Sequence, residues 1–174
     1  AVIASAYAFG GDLNNLDPAF EFWTQMAEDG RINTLDILQQ NFETGEIPVG
    51  VIWSFTAIPY KDQITKYKLQ ANIPTDGSIM SGYASVINKY APHPCAAALA
   101  REYIFSDEGQ AYLAAAGAIP TRTDVEIPDD IQNATFKSED YANAIPMEDT
   151  DAYTKACETV VERWQEEITP LLVQ

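Results

Sequence analysis

The sequence has very little metal-binding or redox chemistry to offer. Only two cysteines occur, Cys95 and Cys157, and neither stands in a CxxC or any other zinc-ligand spacing. The single histidine, His93, lies between Pro92 and Pro94, which predicts a surface turn and not a metal ligand. We therefore expect no metal and no cofactor. The cysteines are expected to be two buried free thiols, with a disulfide between them left open for an exported protein.

Basic residues are also scarce. Ten Lys and Arg face 26 Asp and Glu, for a net charge of −16. Nucleic acids and anionic membranes need clustered Lys and Arg to neutralise phosphate, so neither is expected as a partner. The acidity is best interpreted as a solvated surface, and a cationic ligand is the lesser alternative.

Long apolar runs are absent. No stretch of about 18 apolar residues occurs, so no membrane insertion is expected. The chain does not begin with Met and has no basic segment followed by an apolar one. We therefore expect a processed product or a recombinant piece of a longer protein.

No catalytic constellation is visible, and no catalytic residue is predicted. There is no GxSxG, and a Cys95–His93 pair would lack a third group to orient it. Paired acids occur at helix ends or turns, where capping and solvation account for them. These pairs are Glu43 with Glu46, Asp107 with Glu108, and Asp129 with Asp130. A small hydrolase or transferase using paired carboxylates is the alternative.

What is present is a pattern of helices alternating with apolar strands. Helices are predicted over 1–9, from Asp17-Pro18 to Gly30, from Asn33 or Thr34 to Gly45, from Ser54 or Thr56 toward Asp62, from the residues that follow Pro92 and Pro94 through Phe105, from Ser106 to Gly117, and from Thr150 to Ile168. Asp17, Ser106 and Thr150 are the expected N-caps of their helices. Leu35, Leu38 and Phe42 of the third helix are expected to face inward, as is Val161 of the last. Strands are predicted over 46–53, 67–73 and 79–88. The near-continuous apolar run of 46–53 favours a central strand, and the whole pattern favours an α/β sandwich.

Two polar interruptions of these strands are the candidate ligand site. Trp53, Ser54 and Phe55 stand where a strand gives way to a helix start, and ligands meet α/β sheets at the carboxyl ends of strands. Ser81, Gly82 and Tyr83 interrupt another strand, and a glycine there allows a ligand to approach the backbone. The alternatives are a buried core tryptophan for the first group and a bulge or sheet crossing for the second.

Three segments carry a resemblance to a known family. They are residues 45–53 (GEIPVGVIW), residues 76–84 (DGSIMSGYA), and residues 91–94 (APHP) running through 103–110 (YIFSDEGQ) to 117–122 (GAIPTR). In these the chain resembles the C-terminal part of type 2 periplasmic binding proteins. That group serves ABC importers of ferric iron, polyamines, thiamine and phosphorylated or phosphonate compounds.

The resemblance implies a three-layer αβα sandwich that is incomplete here, with one lobe plus part of the other. Residues 1–75 would be an α/β segment of the second lobe. Residues 76–122 would be the crossing strand and first-lobe helices. Residues 123–174 would be a C-terminal crossing and a helix that packs back on the second lobe. The N-terminal half of such a protein lies outside this chain, and its supply in trans as a partner is an open alternative.

The resemblance also implies a function. The chain would be an extracytoplasmic solute-binding component, periplasmic or a cell-surface lipoprotein, that captures a small solute in an interlobe cleft by hinge closure and delivers it to a membrane permease. An acid that would pair with a polyamine is missing at Ser81 and Tyr83, and no Tyr-Tyr pair for ferric iron occurs. A small polar or anionic solute is left by elimination. A self-associating interaction module is a further alternative.

Overall fold

A computed structural model of the chain describes residues 1–172, and its chain divides into two compact units. The first unit is formed by Ala1–Ile52, Asn72–Ser81 and the chain from Tyr141 onward. The second is formed by Trp53–Ala71 and Gly82–Asp140. Neither unit is a single stretch of sequence, so the chain passes between them four times.

Helices dominate the first unit. They are α1 (Val2–Ala8), α2 (Asp17–Glu28), α3 (Gln39–Thr44), α8 (Thr150–Arg163), a π-helical turn (Trp164–Ile168) and α9 (Thr169–Leu172). Two short strands, β1 (Ser78–Met80) and β2 (Ala144–Pro146), pair in parallel with Ile79 opposite Ile145. Pro170 lacks an N–H, which explains why the regular helical bonding is interrupted just before α9.

The core of the first unit lies between α1, α2 and the C-terminal helices. Ile3, Ala6, Phe20 and Ile168 are buried there. Small alanines let the helices approach, while the large side chains fill the space between them.

Polar contacts fix this core at its edge. The indole N–H of Trp23 donates to the hydroxyl of Ser5 at 2.8 Å. The guanidinium of Arg163 lies 4.1 Å from the ring centroid of Phe20 and binds the carboxylates of Asp17 and Glu167. The pKa of Arg163 is raised, first by its hydrogen bond to Glu167.

The second unit is built from α4 (Ser54–Gln63), α5 (Pro94–Ile104), α6 (Asp107–Ala115) and α7 (Asp129–Ala134), followed by a 3-10 turn (Ser138–Tyr141) that ends in the first unit. The side chains buried in it are Ile58, Ile64, Ala114 and Gln110. Its apolar core is therefore small.

A polar clasp around Gln110 holds the elbow between α5 and α6. The fully buried amide of Gln110 donates to the carbonyl of Ile104 at 2.9 Å and accepts from the N–H of Thr121 at 2.8 Å. Arg122 then donates to the carbonyl of Phe105 and to the carboxylates of Asp107 and Asp124. Residues 103–110 and 117–122, two of the segments that carry the family resemblance, are thus joined by hydrogen bonds.

The predicted strands are mostly wrong. Residues 46–53 form bends and an irregular segment with Val49 and Val51 exposed, not a buried central strand. Residues 67–73 form no strand, and of 79–88 only Ile79 and Met80 lie in β1. Strand formation needs a partner strand, and the paired segments within residues 1–172 are β1 and β2, beside the isolated bridge between Asp12 and Asn15.

The predicted helices are largely confirmed. α1, α2, α4, α5, α6 and α8 form within a few residues of the expected bounds. The helix expected from Asn33 or Thr34 begins only at Gln39, so Leu35 and Leu38 are exposed while Phe42 is buried as expected. The helix-rich structure with a small parallel sheet is consistent with an α/β fold.

Three caps differ from the sequence prediction by one position or more. Leu16, not Asp17, is the N-cap of α2. Asp149, not Thr150, caps α8 by accepting from the N–H of Ala152 at 2.9 Å. Trp53 holds the N-cap position of α4, and no side chain caps that helix.

Two further expectations were tested by burial. Both cysteines are free, but Cys95 is exposed and Cys157 only partly buried, so the prediction of two buried thiols is wrong for Cys95. Val161 was expected on the buried side of α8 and is exposed. None of the helices within residues 1–172 has the length and apolar character needed to cross a membrane.

Candidate functional site

Three aromatic rings of the sequence-predicted site lie together on the second unit. The rings of Trp53 and Phe55 are nearly parallel, with centroids 6.4 Å apart and 13° between their planes. Tyr83 meets Phe55 edge to face, with centroids 6.1 Å apart. We call Trp53, Phe55 and Tyr83 the aromatic trio. Residues 28 positions apart in sequence are thus neighbours in space.

The trio is open to solvent. Trp53 is 48% exposed and Tyr83 is 85% exposed, while Phe55 is partly buried between them and the helix. A buried core tryptophan was the alternative for Trp53, and its exposure does not fit that alternative. Exposed aromatic faces can stack on flat groups or receive cations.

The start of α4 positions two of the three rings. Trp53 is extended, and its carbonyl accepts from the N–H groups of Thr56 and Ala57 at 3.0 Å each. Ser54 opens the first turn, which contains no acid, and its hydroxyl makes no hydrogen bond to any of the residues 1–172. That hydroxyl can therefore serve a ligand beside the rings.

The other predicted residues are divided between the units. Tyr83 and Gly82 begin the return of the chain into the second unit, whereas Ser81 is the last residue of a first-unit segment. A Cβ on Gly82 would meet nothing within 4 Å, so packing among the described residues does not require glycine there. Trp53, Phe55 and Tyr83 are thus the members that the structure brings into contact.

Gly117 packs against Phe55 of the trio, a contact that was not predicted from the sequence. Its φ of +89° favours glycine, and a Cβ there would lie 3.0 Å from the Cα of Phe55 and 3.0 Å from Cδ1 of Ile58. The end of α6 therefore packs directly on the backbone of Phe55. The signal in the sequence was the helix-ending glycine, which indicates a positive φ but not its neighbour in space.

Two hollows of the surface lie elsewhere in the chain. A small cavity of about 40 Å³ is lined by Ile58, Lys61, Ala71, Ala134, Thr135 and Phe136. An open groove of about 520 Å³ runs along the outer side of α8, between Thr154 and Gln165. Neither includes a ring of the trio. The α8 groove is lined only by α8 and the π-helical turn that continues it, so it is a shallow surface feature that does not enclose a solute.

The paired carboxylates have structural partners. Asp107 binds Arg122 at 2.8 Å, and Glu43 accepts from the amide of Gln39 at 2.7 Å. Asp129 and Asp130 lie in the first turn of α7, where the positive end of the helix favours acids. Nothing in these contacts directs two carboxylates at one point, as acid–base catalysis requires.

In the second unit, side chains with a shifted pKa lie in the polar clasp around Gln110 and next to it. The hydrogen bond from Arg122 holds the pKa of Asp124 below its ordinary value. Partial desolvation, and then the carboxylate of Glu108, raise the pKa of Tyr103. Within the part of the chain that the structure describes, no group of three or more His, Cys, Asp or Glu is arranged to hold a metal ion. The chemistry available at the trio is noncovalent binding.

Comparison with known protein families identifies the family of the chain. The family described as bacterial extracellular solute-binding protein matches residues 2–145, which is most of the chain. No curated protein matches it.

Proposed function

Since the chain belongs to the bacterial extracellular solute-binding protein family, we propose that it binds a small solute and serves an ABC importer of the type 2 group. The family implies a small solute as ligand and, in general, a transporter permease as partner. It also points to an extracytoplasmic location and suggests a transport role without catalysis. The family match over residues 2–145 is the observation that carries the proposal.

The aromatic trio is the solute-binding surface in this proposal. Trp53 offers a half-exposed face beside the parallel ring of Phe55, and Tyr83 adds a phenol. Ser54 supplies a hydroxyl group for a hydrogen bond, and the backbone at Gly82, which also belongs to the second unit, is open to close approach. Ring faces that are already exposed need no rearrangement before they bind, which lowers the entropic cost of binding.

The solute class follows from what surrounds the rings. From Ile47 to Tyr60 the sequence contains no charged residue, and the first turn of α4 contains no acid. A cation would find no carboxylate on this stretch, whereas the N–H groups at the start of α4, which no side chain caps, and the hydroxyl of Ser54 can bind a polar or anionic group. We therefore propose a small polar or anionic solute with a flat face, in keeping with the absence of an acid at Ser81 and Tyr83.

The full protein would close on its solute. A ligand shifts a conformational equilibrium only by its difference in affinity for the two states, so the solute must gain contacts in the closed state.

We also propose that the full protein has the three-layer αβα architecture of the type 2 group. Its location would be the periplasm or the cell surface, where it would be a lipoprotein.

A direct test is to denature the protein purified from a bacterial host and identify any small molecule released, by mass spectrometry. Titration calorimetry would then compare that molecule with thiamine, spermidine, 2-aminoethylphosphonate and ferric citrate as probes. Binding of one small molecule without its conversion is the expected result. Conversion of a probe to a product, or no binding by any of them and no released molecule, would contradict the proposal.

A further inference from the structure

Two Asp-Gly pairs occur in the sequence, Asp29-Gly30 and Asp76-Gly77. This dipeptide rearranges readily without an enzyme, because glycine has no side chain to shield its amide nitrogen from the preceding carboxyl group. Both aspartates are exposed, so exposure alone does not distinguish the two pairs. The hydrogen bonds around them do distinguish them.

Asp29-Gly30 is held at the end of α2. The N–H of Gly30 donates to the carbonyl of Ala27 at 3.0 Å. One carboxylate oxygen of Asp29 accepts from the side-chain amide of Gln25 at 3.1 Å, and the other lies 3.4 Å from Nε of Arg31. The amide nitrogen and the carboxyl group that would have to react are therefore both engaged elsewhere.

Asp76-Gly77 lies in a bend just before β1. Among the described residues, the carboxylate of Asp76 has no hydrogen-bond or ion-pair partner, and the N–H of Gly77 donates to no acceptor. A carboxyl group without a partner can rotate among its rotamers and reach the nitrogen that follows it. The two pairs thus have the same sequence and opposite constraints.

The rearrangement needs no reagent other than water. The nitrogen of Gly77 attacks Cγ of Asp76, an N–Cγ bond forms, and the carboxyl hydroxyl leaves with the amide proton as water. Water then opens the resulting five-membered succinimide. Opening at the main-chain carbonyl gives an isoaspartyl residue, in which the chain continues through Cβ and Cγ, and opening at the other carbonyl restores aspartate. The mass of the protein is unchanged.

We propose that Asp76 is the site at which the folded chain forms isoaspartate, and that Asp29 is protected by its bonds at the end of α2. The product carries a free α-carboxylate beside a lengthened main chain. That carboxylate is a substrate for carboxyl methyltransferases that use S-adenosylmethionine. The inference does not depend on the proposed function, because it is measured without a solute.

The added main-chain carbon falls where the chain packs closely. A Cβ on Gly77 would overlap the carbonyl oxygen of Ala4 and would lie 2.7 Å from Cβ of Ala8, so α1 leaves no room on that side. The next residue begins β1, which pairs with β2. Isomerisation is therefore expected to disturb the packing of β1 on α1 and to lower the free energy of unfolding.

The test is ageing of the full chain at physiological temperature and mildly acidic pH, followed by peptide mapping. Fragmentation by electron transfer distinguishes isoaspartate from aspartate at each position, although their masses are equal. Isoaspartate is expected to accumulate at Asp76 several-fold faster than at Asp29. Methyl transfer by an isoaspartyl methyltransferase measures the total. Asp76→Glu should remove most of that total, because glutamate would have to close a six-membered ring.

The denatured chain is the matched control. In guanidinium chloride the bonds around Asp29 are lost, so the two Asp-Gly pairs should react at similar rates. Equal rates at the two sites in the folded protein, or a faster rate at Asp29, would overturn the inference. So would a folded protein in which neither site reacts while both react after denaturation, since the packing of Gly77 on α1 would then be protective.

Urea denaturation measures the effect on packing. Aged wild type should unfold at a lower urea concentration than aged Asp76→Glu. The two fresh proteins should be equally stable, because Asp76 is exposed and has no partner among the described residues. Equal stability after conversion at Asp76 would overturn the proposed disturbance of β1.

Discussion

The side-chain oxygen of Gln110 accepts a hydrogen bond from the backbone N–H of Thr121 at 2.8 Å, while the same amide donates to the carbonyl of Ile104. A single fully buried polar side chain thus joins the end of α5 to the segment that leaves α6. The side-chain oxygen and nitrogen of Gln110 both have hydrogen-bond partners within the protein. Any replacement that lacks these two atoms therefore loses those bonds.

Gln110→Leu should therefore destabilise the protein. The change removes these bonds and leaves the carbonyl of Ile104 and the N–H of Thr121 without their side-chain partner, at a cost of about 1–3 kcal/mol in the free energy of unfolding. Urea denaturation measures it. Gln132→Leu is the control, since Gln132 makes one exposed bond to the carbonyl of Ile127, and it should cost less than about 1 kcal/mol. Equal effects of the two variants would contradict a special role for the buried amide.

The pair of Arg122 and Asp124 should give a pH-dependent contribution to stability. The pKa of Asp124 is lowered in the folded protein, chiefly by the hydrogen bond from Arg122. A lowered pKa means that the stabilisation is present above the ordinary value of 3.8 and is lost as the pH falls through the folded value. The difference in unfolding free energy between wild type and Asp124→Asn should thus be constant near neutrality and shrink below about pH 4.

The double variant controls for other effects of acid. In an Arg122→Leu background, the pH-dependent effect of Asp124→Asn should be much smaller, because the largest cause of the lowered pKa of Asp124 is gone and only a backbone hydrogen bond still lowers it. Urea melts at several pH values measure all four proteins. A pH-dependent difference that survives undiminished in that background would show that Arg122 is not responsible.

Gly117→Ala should destabilise more than Gly10→Ala. Both glycines have positive φ, +89° and +84°, so each replacement carries a backbone cost of about 1–2 kcal/mol. At Gly10 the new Cβ meets nothing within 4 Å, whereas at Gly117 it lies 3.0 Å from the Cα of Phe55. Overpacking adds about 1–3 kcal/mol at Gly117. Thermal or urea denaturation of both variants gives the difference, and equal losses would contradict the packing of α6 on Phe55.

Trp53→Ala should weaken binding of the identified solute at least about tenfold, because a stacked ring contributes roughly 1.4 kcal/mol or more. The free energy of unfolding should change by less than about 1 kcal/mol, since the side chain is half exposed. Calorimetry and urea denaturation measure the two quantities. Tyr112→Ala is the matched control, an aromatic of the same unit that is 65% exposed and lies outside the trio. Unchanged affinity in folded Trp53→Ala would remove Trp53 from the site.

Local signals in the sequence were sufficient for most helices. Asp17-Pro18 and Gly30 delimit α2, and Ser106 caps α6 by accepting from the N–H of Gly109 at 3.1 Å, as expected. These features act over three or four residues, so the sequence contains the whole interaction. Capping side chains one residue apart, such as Asp149 and Thr150, are less easily distinguished.

Strands could not be predicted in the same way. The apolar residues Val49 and Val51 favour a strand, but a strand forms only if another segment pairs with it, and sequence pattern does not reveal that partner. The candidate site has one feature that the local sequence predicts and others that it does not. The position of Trp53 at a helix start was visible locally, whereas the contact of Phe55 with Tyr83 and with Gly117 depends on long-range packing.

The interleaving of the two units has a consequence for proteases. Residues 83–89 are exposed except for the partly buried Ile87, and their backbone N–H groups donate no hydrogen bond among residues 1–172, so this stretch is a natural place for limited digestion to nick the chain. Yet the first unit packs Phe20, from before such a nick, against Ile168, from after it. The two digestion products should stay associated through that shared core and elute together until denatured, and genes encoding them separately should reconstitute the protein by complementation.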